Sequence, residues 1–141
     1  MLYWDSSAIV ASLLNEKLGI DVDKFAYSSP ENRMYTAIIT PLEVESAIQR
    51  RVREQSISAK EADIGRITAA EFRKHAFLVI ADHNVLDMAL HLHKIYNLRP
   101  ADSIQLASAR VGTDNPYGVH FLCLDNRLNE AARREGFNVP F

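Results

Sequence analysis

Three short apolar runs in this chain each lead into an acidic residue that opens a helical pattern, and this repeated junction limits the possible folds more than any other feature. The first run, Met1-Leu2-Tyr3-Trp4, stops at Asp5-Ser6-Ser7, after which Ala8, Ile9, Val10, Ala11, Leu13 and Leu14 read as an apolar helix. The second covers 34–39 and runs into Thr40-Pro41-Leu42-Glu43; the third covers 119–124 and ends on Asp125. Apolar strands that alternate with helices belong in a parallel sheet covered on both faces. Every strand of such a sheet ends on the same edge, where ligands collect.

The remaining segments follow the same alternation. Residues 16–27 give a second short helix with Val22, Phe25 and Ala26 on its apolar side, closed by the loop Ser28-Ser29-Pro30-Glu31-Asn32. Thr40 suits an N-cap, Pro41 the first helical position and Glu43 the third, so this junction also matches a capping box; Ser58 and Glu61 repeat the pattern ahead of another helix. A strand is expected over 77–81, a helix from Asp82 to Tyr96, and a tight turn at Asn97-Leu98-Arg99-Pro100. Asp102 then follows its proline as Glu43 follows Pro41, and opens an apolar helix over 103–111. The last helix covers 126–135 with Gly136 as its cap, and 138–141 can add an edge strand. The expected architecture is α/β: a three-layer α/β/α fold, its central parallel sheet of about five strands flanked by helices, forming one domain over 1–141.

Composition narrows the function classes. With 141 residues, 48% apolar and 24% charged, the chain can bury one ordinary core. No apolar run approaches the roughly 18 residues of a membrane span, and the N-terminus lacks the pattern of a secretory signal, so a cytoplasmic protein without membrane contact is expected. The single cysteine, Cys123, lies in an apolar run and reads as a reduced core thiol. A net charge of −2 argues against a general polyanion coat, yet arginine outnumbers lysine by 11 to 5, and guanidinium is the better bidentate partner for phosphate. His83, His91 and His93 lack the i, i+4 spacing of a zinc helix.

Each acid taken alone reads as a helix cap. Together, Asp5, Glu43 and Asp125 follow three strands and Asp102 opens a buried helix, so all four converge on one sheet edge. Converging carboxylates repel and are costly to desolvate unless cations neutralise them. Oxygen ligands without a His or Cys cluster favour magnesium or manganese over zinc. Two such ions about 3.5 to 4 Å apart are suited to splitting a phosphodiester.

Tyr3-Trp4-Asp5-Ser6-Ser7, the Thr-Pro-Leu-Glu43-Val-Glu turn, Leu98-Arg-Pro-Ala-Asp102-Ser-Ile-Gln-Leu-Ala107 and Leu122-Cys-Leu-Asp125 resemble, in this order, the acidic motifs of the PIN domain. The likeness covers essentially the whole chain, and its size and layout resemble the VapC toxins of toxin–antitoxin pairs. It implies a magnesium-dependent (or manganese-dependent) endoribonuclease, a homodimer and an antitoxin partner that occupies the acidic groove. Carried over by position, it makes Asp5 and Asp102 the principal metal ligands, with Glu43 and Asp125 completing the site. Ser6 or Ser7 would orient a bound water or ligand from behind it. The implied reaction is hydrolysis of an RNA phosphodiester, with Asp125 or Glu43 positioning the water, leaving 5′-phosphate and 3′-hydroxyl ends. Many relatives carry a hydroxyl residue where this chain has Cys123, which puts a hydrogen bond near Asp125, and with it a second metal, in question.

Other readings use the same residues differently. A phospho-acceptor receiver domain shares the parallel sheet and carboxylates but needs a late lysine, and no lysine follows Lys94. A PIN-like interaction module without activity would not require the full set of acids. A housekeeping RNA-processing nuclease is the alternative to a toxin, and an adjacent small antitoxin gene separates the two.

Overall fold

Alternation within three residues sets the layering: Leu2 and Trp4 of β1 (Leu2–Trp4) pack into one core, while Tyr3 packs into another. In the computed structural model, which describes residues 1–30 and 33–141, β1 is followed by α1 (Ser6–Leu13), α2 (Lys17–Ser28), β2 (Met34–Ala37), α3 (Thr40–Arg53) and α4 (Ala59–His75). Then come β3 (Phe77–Val79), α5 (His83–Ile95), α6 (Pro100–Val111), a 3-10 turn at Pro116–Gly118, β4 (His120–Leu122) and α7 (Asn126–Arg134).

The strands form one parallel sheet in the order β3-β2-β1-β4. Helices α1 to α4 supply the core around Leu2, Trp4 and Leu122; α5, α6 and α7 supply the core around Tyr3, Tyr35 and Phe121. Tyr3 stacks on Phe121 with ring centroids 4.9 Å apart and meets Tyr35 edge-on at 5.0 Å. This is the expected three-layer α/β/α arrangement. Because β2 and β4 flank β1 on opposite sides, the chain reverses its progress across the sheet at β1, and a crevice opens at the carboxyl ends there.

The strand count differs from expectation. Four strands are found among the described residues, and the C-terminal segment makes only a single parallel bridge between Asn138 and His120. Asn138 donates to Val119 O at 3.0 Å and accepts from Phe121 N at 2.8 Å. Pro140 has no N–H to continue the ladder, so a strand cannot extend along β4.

The helix after β2 starts one residue earlier than its capping box implied. Thr40 is already helical and Ile39 occupies the cap position, without a side-chain cap. Ser58 and Glu61 do form their capping box, with Glu61 N 3.1 Å from Ser58 Oγ and Ser58 N 2.7 Å from Glu61 Oε2. The expected loop after α2 includes Glu31 and Asn32, which lie outside the described residues.

Candidate active site

Backbone geometry at the ends of β1 and β4 delivers an acid to the crevice. Asp5 leaves β1 in an extended conformation and caps α1, accepting Ser7 N at 2.9 Å on Oδ2. Asp125 does the same after β4, accepting Leu128 N at 2.9 Å on Oδ1 as the cap of α7. Capping and convergence therefore coexist. Glu43 lies in the first turn of α3, and Asp102 in the first turn of α6 just after Pro100.

All four acids line one cavity of about 710 Å³, together with Ser6, Ser7, Arg50, Arg51 and Arg99. A neighbouring cavity of about 320 Å³ continues past Asp102 and Asp125 to Arg127. Burial raises the carboxyl of Asp5, which is only 4% exposed, and the charge of Asp102 raises it further. Burial likewise raises Glu43, with the charges of Asp5 and Asp102 adding to it, and raises Asp102, with Asp125 adding to it. Asp102 is thus within electrostatic reach of each of the other three acids.

Neutral groups hold the acids in place. Ser7 Oγ lies 2.5 Å from Asp5 Oδ2, accepts Leu124 N at 2.9 Å and approaches Cys123 Sγ at 3.6 Å. Ser6 lies near enough to Glu43 for its hydroxyl to favour the ionised carboxyl, against the effect of burial. Cys123 is buried, and its sulfur accepts Asp125 N at 3.2 Å, so sulfur stands where a hydroxyl would otherwise receive that N–H.

Gln105 is a site residue that the sequence reading did not single out. It lies one turn beyond Asp102 on α6, is 1% exposed and donates through Nε2 to Glu43 Oε2 and, at 3.0 Å, to Thr40 Oγ1. The Tyr3 hydroxyl donates to Gln105 Oε1. Thr40 Oγ1 is 2.7 Å from Thr36 Oγ1, which reaches the Trp4 carbonyl at 2.6 Å. This chain of contacts explains why Thr40 does not cap α3: its hydroxyl is turned inward. The available signal was a long amide interrupting an otherwise apolar stretch of α6.

The family follows from the sequence match. The PIN domain model matches residues 2–133. The chain belongs to the PIN domain family. Its fold resembles a toxin–antitoxin complex from Klebsiella pneumoniae at 15% identity and TM-score 0.59, covering 89% of this chain and 87% of that one. It also resembles FitAcB from Neisseria gonorrhoeae at 14% identity and TM-score 0.65, covering 99% and 96%. No curated protein matches the sequence.

The donor set of this PIN chain suits a hard cation. Among the described residues no three His, Cys, Asp or Glu side chains are close enough to close around one ion. Magnesium does not require that, since it keeps several waters and binds through one or two carboxylates. Asp5 and Asp102 face the same cavity, and the charge of Asp102 makes Asp5 costlier to ionise, so a divalent cation held by these two carboxylates would relieve repulsion between them. Outside the site, His93 Nδ1 lies 3.0 Å from Ser103 Oγ, a helix-packing contact between α5 and α6. Among the described residues no helix is long and apolar enough to cross a membrane.

Proposed function

We propose that this chain is a divalent-metal-dependent endoribonuclease acting in the cytoplasm, and the toxin of a toxin–antitoxin pair. The observation that carries this reading is the convergence of Asp5, Glu43, Asp102 and Asp125, from four separate segments, on one cavity at the sheet's switch point. Capping accounts for Asp5 and Asp125 one at a time but not for the placement of all four acids on one cavity, where their repulsion calls for a cation. Asp5 and Asp102 would hold magnesium or manganese, with Glu43 and Asp125 completing the acidic site. When bound, such an ion activates water and stabilises the leaving oxygen of a phosphodiester.

The chain's own groups supply the rest. Ser7 fixes one oxygen of Asp5 and the Gln105 amide holds one oxygen of Glu43, so both carboxylates keep defined orientations. Glu43 or Asp125 orients the attacking water and takes its proton. Arg50 on the wall makes no ion pair among the described residues, leaving its charge for RNA phosphates, while Arg99 and Arg127 partly offset the charge of Asp102. The toxin assignment draws on the Klebsiella neighbour, itself a toxin–antitoxin complex. An antitoxin that enters the acidic groove would present a cation to it. A second copy would cover Phe77, Ile80, Leu86 and Leu90, all exposed along the edge strand β3 and α5.

Purified protein with total RNA tests the reading. Cleavage is expected with magnesium or manganese, leaving 5′-phosphate ends, and is expected to stop with EDTA and in Asp5→Ala and Asp102→Ala, both still folded by circular dichroism. Activity retained in either variant, or undiminished by EDTA, overturns the ligand assignment.

A further inference from the structure

We infer that Gln105 is a positioning residue for Glu43, and that the Tyr3 hydroxyl, which packs on the same side of the sheet as α6, sets the direction in which its amide points. The catalytic consequence rests on the nuclease reading; the hydrogen-bond arrangement does not. Gln105 is 1% exposed, beside the apolar Leu106, Ala107 and Ala109 of α6, and an aliphatic side chain in its place would leave the buried Tyr3 hydroxyl without its acceptor. An amide kept there is explained by what it bonds.

A side-chain amide has one acceptor end and one donor end, and its neighbours decide which way it faces. The phenol of Tyr3 carries a single proton and directs it at Gln105 Oε1. The amide's donor end is thereby turned toward Glu43 Oε2 and, at 3.0 Å, Thr40 Oγ1, whose hydroxyl also lies 3.4 Å from Oε1 in a longer and weaker contact. With Oε2 engaged, the Glu43 carboxylate cannot rotate freely in the cavity. Thr40, Thr36 and the Trp4 carbonyl brace the same amide from the β1 and β2 side. A core residue of β1 and a helix residue of α6 thus jointly define how an acid on α3 faces the site.

Nuclear magnetic resonance on the ¹⁵N-labelled, metal-free full chain reads the arrangement directly. The Gln105 side-chain N–H₂ signal, assigned by its loss in Gln105→Leu, is expected to exchange slowly in the native protein and to lose that protection in Tyr3→Phe. Rapid exchange in the native protein, or unchanged protection in Tyr3→Phe, overturns the inference. Gln105→Glu keeps the acceptor for Tyr3 and loses the donor for Glu43 unless protonated. Its kcat for RNA is expected to fall about 10- to 100-fold with little change in KM, recovering in part toward acid pH; an unaltered kcat and pH profile also overturn it. Native protein that cleaves no RNA refutes the nuclease reading and leaves the exchange measurement to decide this one.

Discussion

Ser7 grips Asp5 twice on the same oxygen, its amide nitrogen 2.9 Å and its hydroxyl 2.5 Å from Oδ2. That hydroxyl also accepts Leu124 N from the segment after β4, so one small side chain ties the ends of two neighbouring strands together. Ser7→Ala leaves the Leu124 N–H without this acceptor and Asp5 with one contact fewer. The expected cost is about 1–3 kcal/mol, the usual penalty for orphaning a buried polar group. Urea unfolding of the two proteins checks it, and a change below about 0.5 kcal/mol, ordinary for a surface site, would show that the strand ends do not depend on the serine.

Repulsion within the acidic cavity predicts a stabilising substitution. The carboxyls of Asp5, Glu43 and Asp102 are raised, first by burial and then by neighbouring acids of the cavity: Asp102 acts on Asp5, Asp5 and Asp102 on Glu43, and Asp125 on Asp102. Folded protein therefore keeps protons that the unfolded chain, with carboxyls near about 4, has already released. Stability from these groups is fully present below the unfolded values and is lost as pH rises through the folded ones. Glu45, lowered by its hydrogen bonds to Arg66, works in the opposite direction, so the comparison of interest is between variants rather than along one curve. Metal-free Asp102→Asn is expected to melt above the native protein at pH 7, by a margin that shrinks on acidification and on adding magnesium to the native chain. Calorimetry in EDTA tests this, and a lower Tm at pH 7 would identify Asp102 as a cap rather than a member of a crowded cluster.

What could be read in the sequence, and what could not, divides along physical lines. Asp5 and Asp125 were legible because a strand that ends on an acid before a helix is a local pattern, and the parallel sheet then brings such ends to one edge. Asp102 was legible through its position after Pro100. Gln105 was not, because its meaning lies in contacts with Tyr3 and Glu43, which are far away in sequence. The helix start at Thr40 was misread for a related reason: its local sequence fits a cap, but tertiary bonds to Thr36 and Gln105 claim the hydroxyl. The missing strand at 138–141 reflects Pro140, which offers no donor.

Cys123 is expected to be chemically silent despite its place beside the site. The thiol is fully buried, and burial first, then the charge of Asp5, pushes its proton affinity well above the usual thiol range. A thiol-specific disulfide reagent at pH 8 is expected to leave native protein unmodified and to react with one equivalent in denaturing urea. Rapid native modification would place the sulfur at the surface and contradict its role as acceptor of Asp125 N.

The helix that Asp5 caps meets α2 closely at its opposite end. Gly19 of α2 lies so close to the last turn of α1 that a Cβ there would stand 2.0 Å from Ala11 O and 2.6 Å from Ser12 N. Both obstacles are backbone atoms, so the clash cannot be relieved by a rotamer change. Gly19→Ala must push α1 and α2 apart, against the buried contacts of Val22 with the core that also holds Ala8, Ile9 and Val10. In an open helix the same change would stabilise by roughly 1 kcal/mol; here overpacking is expected to reverse the sign, to about 1–3 kcal/mol of destabilisation or more. Because α1 begins at Ser6 and is capped by Asp5, its displacement is expected to weaken manganese binding as well as stability. Thermal unfolding and manganese titration of the same sample test both halves, and a stabilised Gly19→Ala protein would refute the close approach of the two helices.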